Sequence, residues 1–111
     1  MTKSAIEQTV RDYFEGWYDA DVERMDRALH PDLVKRSITH DGITSKARML
    51  ELTAAGEGRA DGVDRSLKIR IEDVREDIAS VTVESAVYHE YVHLMKTPDG
   101  WRIANALWRY S

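Results

Sequence analysis

The segment His89-Glu90-Tyr91-Val92-His93 is a literal H-E-x-x-H. On a helix, positions i and i+4 share a face, and the pattern can put two imidazoles on one zinc ion with the glutamate as general base. The neighbouring Tyr88, Tyr91, Val92 and Leu94 favour a strand instead. On a strand the two histidines sit ~13 Å apart, at ~3.3 Å per residue, too far for one metal. A helix here would also remove the partner of the strand around Trp101. The expectation is therefore a strand, with no metal site. Cysteine is absent, which removes disulfides, thiolate nucleophiles and Cys-ligated metals. No Ser/His/Asp triad and no phosphate-cradling glycine loop is recognisable. His30, at a helix–strand corner before Pro31, is a candidate general base near neutral pH. The reading favoured over it is a structural histidine bonded to the backbone at that corner.

The elements that position these groups follow from periodicity. Ser4-Ala5-Ile6-Glu7 has the form of a capping box. Ile6, Val10, Phe14 and Trp17, with Tyr13 beside them, then form one apolar helical stripe. A second short helix starts at Asp21, turns Val22, Met25 and Leu29 inward, and ends at Pro31. Leu33 to His40 reads as a strand with Val34, Arg36 and Ile38 on one side. Asp41-Gly42 is a turn. Thr44 or Ser45 can cap a third helix carrying Ala47, Leu50 and Ala54, with Met49 and Thr53 adjacent, and Gly56 closes it. Gly56 to Asp64 reads as a mobile loop. Strands then follow one another, with Leu67, Ile69 and Ile71 alternating with charges, and Ala79, Val81 and Val83 with Ser80, Thr82 and Glu84. Two longer runs, Tyr88 to Lys96 and Trp101 to Tyr110, are joined at Pro98-Asp99-Gly100, a hairpin signal.

These last two strands carry apolar or aromatic residues on both faces, where one wet face would give alternation. One face should pack on the helices and the other, with Tyr91, Met95, Ala104 and Trp108, on a second copy as a homodimer. The chain has 111 residues, 42% of them hydrophobic, which suits a single α+β domain over 1–111. A net charge of −4 with interleaved signs argues against nucleic acid, which needs a basic face. The start of the chain is amphipathic and no apolar run reaches the roughly 20 residues of a membrane span, so a cytoplasmic protein without membrane contact is expected.

Helix, helix, strand, helix and a strand meander resembles the NTF2-like (SnoaL-like) cone fold over the whole chain. The resemblance is carried by Tyr13-Phe14 to Asp21, Leu29-His30-Pro31-Asp32, Asp41-Gly42, Ile78-Ala79-Ser80-Val81, and Leu94-Met95-Lys96 with Gly100-Trp101-Arg102-Ile103. The His-Pro-Asp and Gly-Trp-Arg-Ile elements are most similar to a subgroup labelled putative lumazine-binding. The family implies N-terminal helices packed on a strongly curved antiparallel or mixed sheet. It also implies a conical cavity between the two and, commonly, a dimer through the sheet's outer face. It spans enzymes and binders alike, so function rests on the site.

By that resemblance Tyr13 matches the tyrosine that donates to an oxyanion in the family's steroid isomerases, and Glu90 resembles the acidic partner of that site. The carboxylate base those isomerases carry on the first strand is missing, because Lys35-Arg36-Ser37 stand there. If Val34 and Ile38 face the cavity, parity turns Arg36 inward too, where it could bind an anion or pair with Glu90. The leading expectation is a cofactor-free binder of a small apolar or aromatic molecule bearing an oxygen or acidic group. Phe14, Trp17, Met49 and Val92 would form walls, and Tyr13, Arg36, Glu90, His30 and Asn105 the polar points. The rival is a cofactor-independent lyase, isomerase or hydrolase working through His30, Glu90 and Tyr13. A third reading is a structural dimer whose cavity is filled by Trp17 and Trp101.

Overall fold

The computed structural model describes residues 1–111. Helix α1 runs from Thr2 to Asp19, one turn earlier than the Ser4 cap implied, because Ala5 N already bonds Met1 O at 3.0 Å. The capping box therefore does not form, and Glu7 instead pairs with Arg11. The helix ends at Ala20 in the left-handed region, with Asp21 N donating to Gly16 O at 2.8 Å. Helix α2 (Val22–Ala28) follows directly, capped by the Asp21 carboxylate, which accepts from Arg24 N. Gly16 lets α2 cross closely, since a Cβ there would lie 3.1 Å from Met25 N. Asp12, buried on α1, braces the pair by accepting from Arg24 Nε at 3.0 Å and Arg27 Nε at 3.4 Å.

Strand β1 spans Leu29–Ser37 and begins before Pro31 rather than after it. Proline is tolerated there because β1 lies at the edge of the sheet and its register breaks between Leu29 and Val34. Helix α3 (Lys46–Ala54) is capped by Ser45, which accepts from Arg48 N at 3.1 Å. Met49 and Thr53 are its buried residues, while Ala47 and Ala54 are exposed and Leu50 half-buried. Within the loop read as mobile, Gly58 and Ala60 are buried.

Strands β2 (Lys68–Arg75), β3 (Ile78–Glu84), β4 (Tyr88–Thr97) and β5 (Gly100–Tyr110) form an antiparallel meander. With β1 parallel to β5, the sheet is mixed and its order is β1-β5-β4-β3-β2. Pro98 and Asp99 form the β4–β5 turn, and Gly100 takes the positive φ of 113° that the turn requires. One contiguous cluster of buried apolar residues lies between α1, α2 and the concave face, centred on Ile6, Val10, Met25, Leu29, Leu94 and Ile103. The α+β architecture is the one expected. No helix is long and apolar enough to cross a membrane.

A register irregularity in β4–β5 matters for the site. His93 faces Asn105 but Leu94 faces Ile103, so Ala104 is an extra residue. Such a bulge flips parity along the bulged strand. Trp101 and Ile103 point inward on one side of it, and Ala106 and Trp108 on the other. Asn105 and Leu107 are left exposed.

Candidate functional site

A cavity of about 580 Å³ opens between α1, α3, the 40–44 loop and the β4–β5 end of the sheet. Six aromatic residues line it, alongside polar side chains that include His40, Asp41, Thr44, Arg48 and Glu57. Phe14 and Trp17 come from α1, Tyr88 from β4, Trp108 and Tyr110 from β5, with Met49 closing the α3 side. Tyr88 is the hub: its ring meets Trp108 edge-on at 5.5 Å and stacks on Tyr110 at 5.9 Å, and its hydroxyl accepts from Trp17 Nε1 at 2.9 Å. Trp17 is held from behind by Gly58. A Cβ at that position would come within 2.4 Å of the indole, so only glycine permits this seating.

Three buried polar side chains meet on this wall. Tyr13 Oη donates to Glu90 Oε2 at 2.5 Å, and Lys35 Nζ donates to Tyr13 Oη. No carboxylate oxygen lies within the 4.0 Å of an ion pair from Lys35, so the ammonium and the Glu90 carboxylate are joined only through the phenol. The Lys35 ammonium is also ringed by aromatic faces, 4.8 Å from the Tyr13 centroid, 5.7 Å from Trp108 and 5.9 Å from Trp17. Glu90 Oε1 has no hydrogen-bond partner, yet no buried polar atom is left unsatisfied, so this oxygen opens onto the cavity.

Electrostatics follow from burial. Desolvation pushes the Glu90 carboxyl up from its ordinary value, opposed by Lys35 and the Tyr13 hydrogen bond. Desolvation pushes Lys35 down, opposed by Glu90. Burial, then the Glu90 charge and hydrogen bond, raise Tyr13 well above the usual phenol. Each group is thus held toward its neutral form. The arrangement offers a cavity-facing acceptor on Glu90 and N–H donors on Lys35 that Tyr13 does not use.

A model of the family described as "Putative lumazine-binding" matches residues 1–109. The chain belongs to that family. No curated protein matches it in sequence. Its fold recurs in an NTF2-like protein from Cytophaga hutchinsonii ATCC 33406, with a TM-score of 0.78 at 14% identity over 100% of this chain and 99% of that one. An NTF-2 like protein of unknown function from Silicibacter pomeroyi DSS-3 gives 0.75 at 15% identity over 100% of both chains. A ketosteroid isomerase-like protein from Erwinia carotovora atroseptica gives 0.67 at 17% identity, over 96% and 94%. These likenesses establish an NTF2-like fold.

Of the residues singled out in the sequence, Tyr13, Phe14, Trp17, Met49 and Glu90 line the cavity. Four others do not. Arg36 is exposed on the outer face beside Leu107, because Leu33 and Lys35, not Val34 and Ile38, are the inward residues of β1. A one-residue error in parity turns every side chain of a strand over. His30 lies in a separate polar surface groove with Lys46 and Arg102, where its Nδ1 accepts from Asp32 N at 3.0 Å. Asn105 is turned out by the bulge, and Val92 is sealed in the core below the cavity.

Lys35, Tyr88, Trp108 and Tyr110 were missed. Trp108 was assigned to the outer face, and only the bulge, which leaves no mark in the residue types, reverses it. Trp101 is a core residue and does not fill the cavity. In the H-E-x-x-H segment, β4 turns Glu90 inward and His89 and His93 outward. No three His, Asp or Glu side chains converge to hold a metal.

Proposed function

We propose that the protein binds a small planar aromatic molecule whose oxygen, as a hydroxyl or carbonyl, inserts between Lys35 and Glu90. The observation that carries this reading is the buried polar pair set among the aromatic residues of the cavity, bridged by Tyr13 but not in direct contact. A ligand hydroxyl can donate to Glu90 Oε1 and accept from Lys35. A carbonyl can accept from Lys35 alone. Of the two buried charged groups, Lys35 is a potential cation and Glu90 a potential anion, which suits a neutral oxygen between them better than a free carboxylate. The cavity volume falls in the range of small-molecule sites. The family's description also names a ligand of the planar bicyclic class.

Calorimetric titration with 2-naphthol tests the reading. The expected result is saturable one-to-one binding, weakened about tenfold by Lys35→Met through loss of a buried hydrogen bond. Arg36→Ala, on the far side of the sheet, should leave the affinity unchanged. A flat titration, or equal affinity in Lys35→Met, contradicts it.

The outer face supports a second element of the proposal, a homodimer. Tyr91, Leu107 and Ile78 are each more than half exposed there, with Met95 and Val34 beside them. This is a broad apolar surface for a chain of 111 residues. Leu107→Asp is the direct probe, and sedimentation of the unmodified protein as a monomer at micromolar concentration would contradict the dimer.

A further inference from the structure

We propose that Lys35 is a reactive amine that forms an imine with carbonyl-bearing ligands of the cavity. The inference rests on the reading that this cavity is the ligand site, and goes beyond it in assigning a covalent step.

The geometry is that of a nucleophile kept out of an ion pair. Most lysines hold their ammonium in water. Here Nζ faces an aromatic cavity, makes one hydrogen bond, and has no carboxylate in direct contact. Its contacts are the Tyr13 hydroxyl, which bridges to Glu90, and three aromatic rings, with no direct ion pair. Desolvation favours the uncharged amine, the form that attacks carbonyl carbon. Tyr13 and Glu90 supply a proton path at the same point.

The step balances without an oxidant. The amine lone pair forms a C–N bond to the carbonyl carbon as the carbonyl π pair moves to oxygen. One N–H proton passes to that oxygen, giving a carbinolamine. The hydroxyl then takes a proton from the Tyr13–Glu90 pair and leaves as water while the nitrogen lone pair forms C=N. The remaining N–H proton restores the pair. An aldehyde and an amine become an imine and one water.

The test is reductive trapping of the intact protein with 2-naphthaldehyde and sodium cyanoborohydride, followed by peptide mass mapping, with and without excess 2-naphthol. The expected result is labelling of Lys35 severalfold over Lys3, Lys46, Lys68 and Lys96, suppressed by 2-naphthol. Mapping the unmodified chain needs no variant to fold. Label spread over the other lysines, or Lys35 label indifferent to 2-naphthol, would overturn the proposal. Calorimetric binding of 2-naphthol without a Lys35 adduct overturns the imine alone, whereas loss of that binding overturns the pocket reading beneath it.

Discussion

The two ends of the space between α1 and the sheet are built from the same strands and differ in kind. At the closed end, Ile6, Val10, Leu94 and Ile103 interlock with no exposed surface to speak of, and Trp101 fills the remaining gap. At the open end, the same helix and the same two strands present Tyr13, Glu90 and Trp108 around about 580 Å³ of space, with a lysine brought in from β1. Close packing of aliphatic side chains gives stability, and nothing at the closed end can respond to a ligand. The open end gives up that packing and buries groups that resist being charged, a cost offset elsewhere in the fold. Close packing and the proposed binding site are thus separated along one axis of one small core.

Substitutions should fall on one side of this division or the other. Ile103→Ala, at the closed end, should lower stability by about 2–5 kcal/mol in chemical denaturation. Its folded fraction should still bind 2-naphthol normally. Gly58→Ala drives a methyl into the Trp17 ring and should cost about 1–3 kcal/mol. Unlike the first variant, it should also weaken binding, because Trp17 holds the Tyr88 hydroxyl.

Glu90→Gln sharpens the comparison through pH. A carboxyl whose folded pKa lies above its ordinary 4.5 contributes stability fully present below that pH and lost as pH rises through the folded value. Glutamine does not titrate. The variant should therefore gain on the parent as pH rises above 4.5 and through the folded value of Glu90. A pH-independent difference between the two melting curves would mean that Glu90 is not held toward its neutral form. Trp108→Ala should have the smallest effect on stability, about 1 kcal/mol from lost ring contacts, and should weaken 2-naphthol about three- to tenfold.

Much of the fold was legible because periodicity reports burial directly. The α1 stripe, the Ser45 cap, the Pro98-Asp99 turn and the inward Ala79, Val81 and Val83 all follow from residue type and spacing. Part of the candidate site was legible as well, since Tyr13, Phe14 and Trp17 lie on that stripe. What failed is strand parity, in two places. In Leu33 to Ile38 apolar residues occupy both parities, and the charged Lys35 looks like the outward choice although it is the inward one. In β5 the Ala104 bulge exchanges the faces partway along, sending Asn105 outward and Trp108 inward. A lysine buried against three aromatic rings is stabilised by long-range contacts, and the local sequence around it carries no trace of them.

The most direct test of the division is a backbone and methyl NMR titration of the labelled protein with 2-naphthol. Saturable shifts should gather at Tyr13, Lys35, Tyr88, Glu90 and Trp108, while Leu94 and Ile103 at the closed end and Tyr91 and Leu107 on the outer face stay still. Shifts centred on the outer face, or none that saturate, would contradict the account.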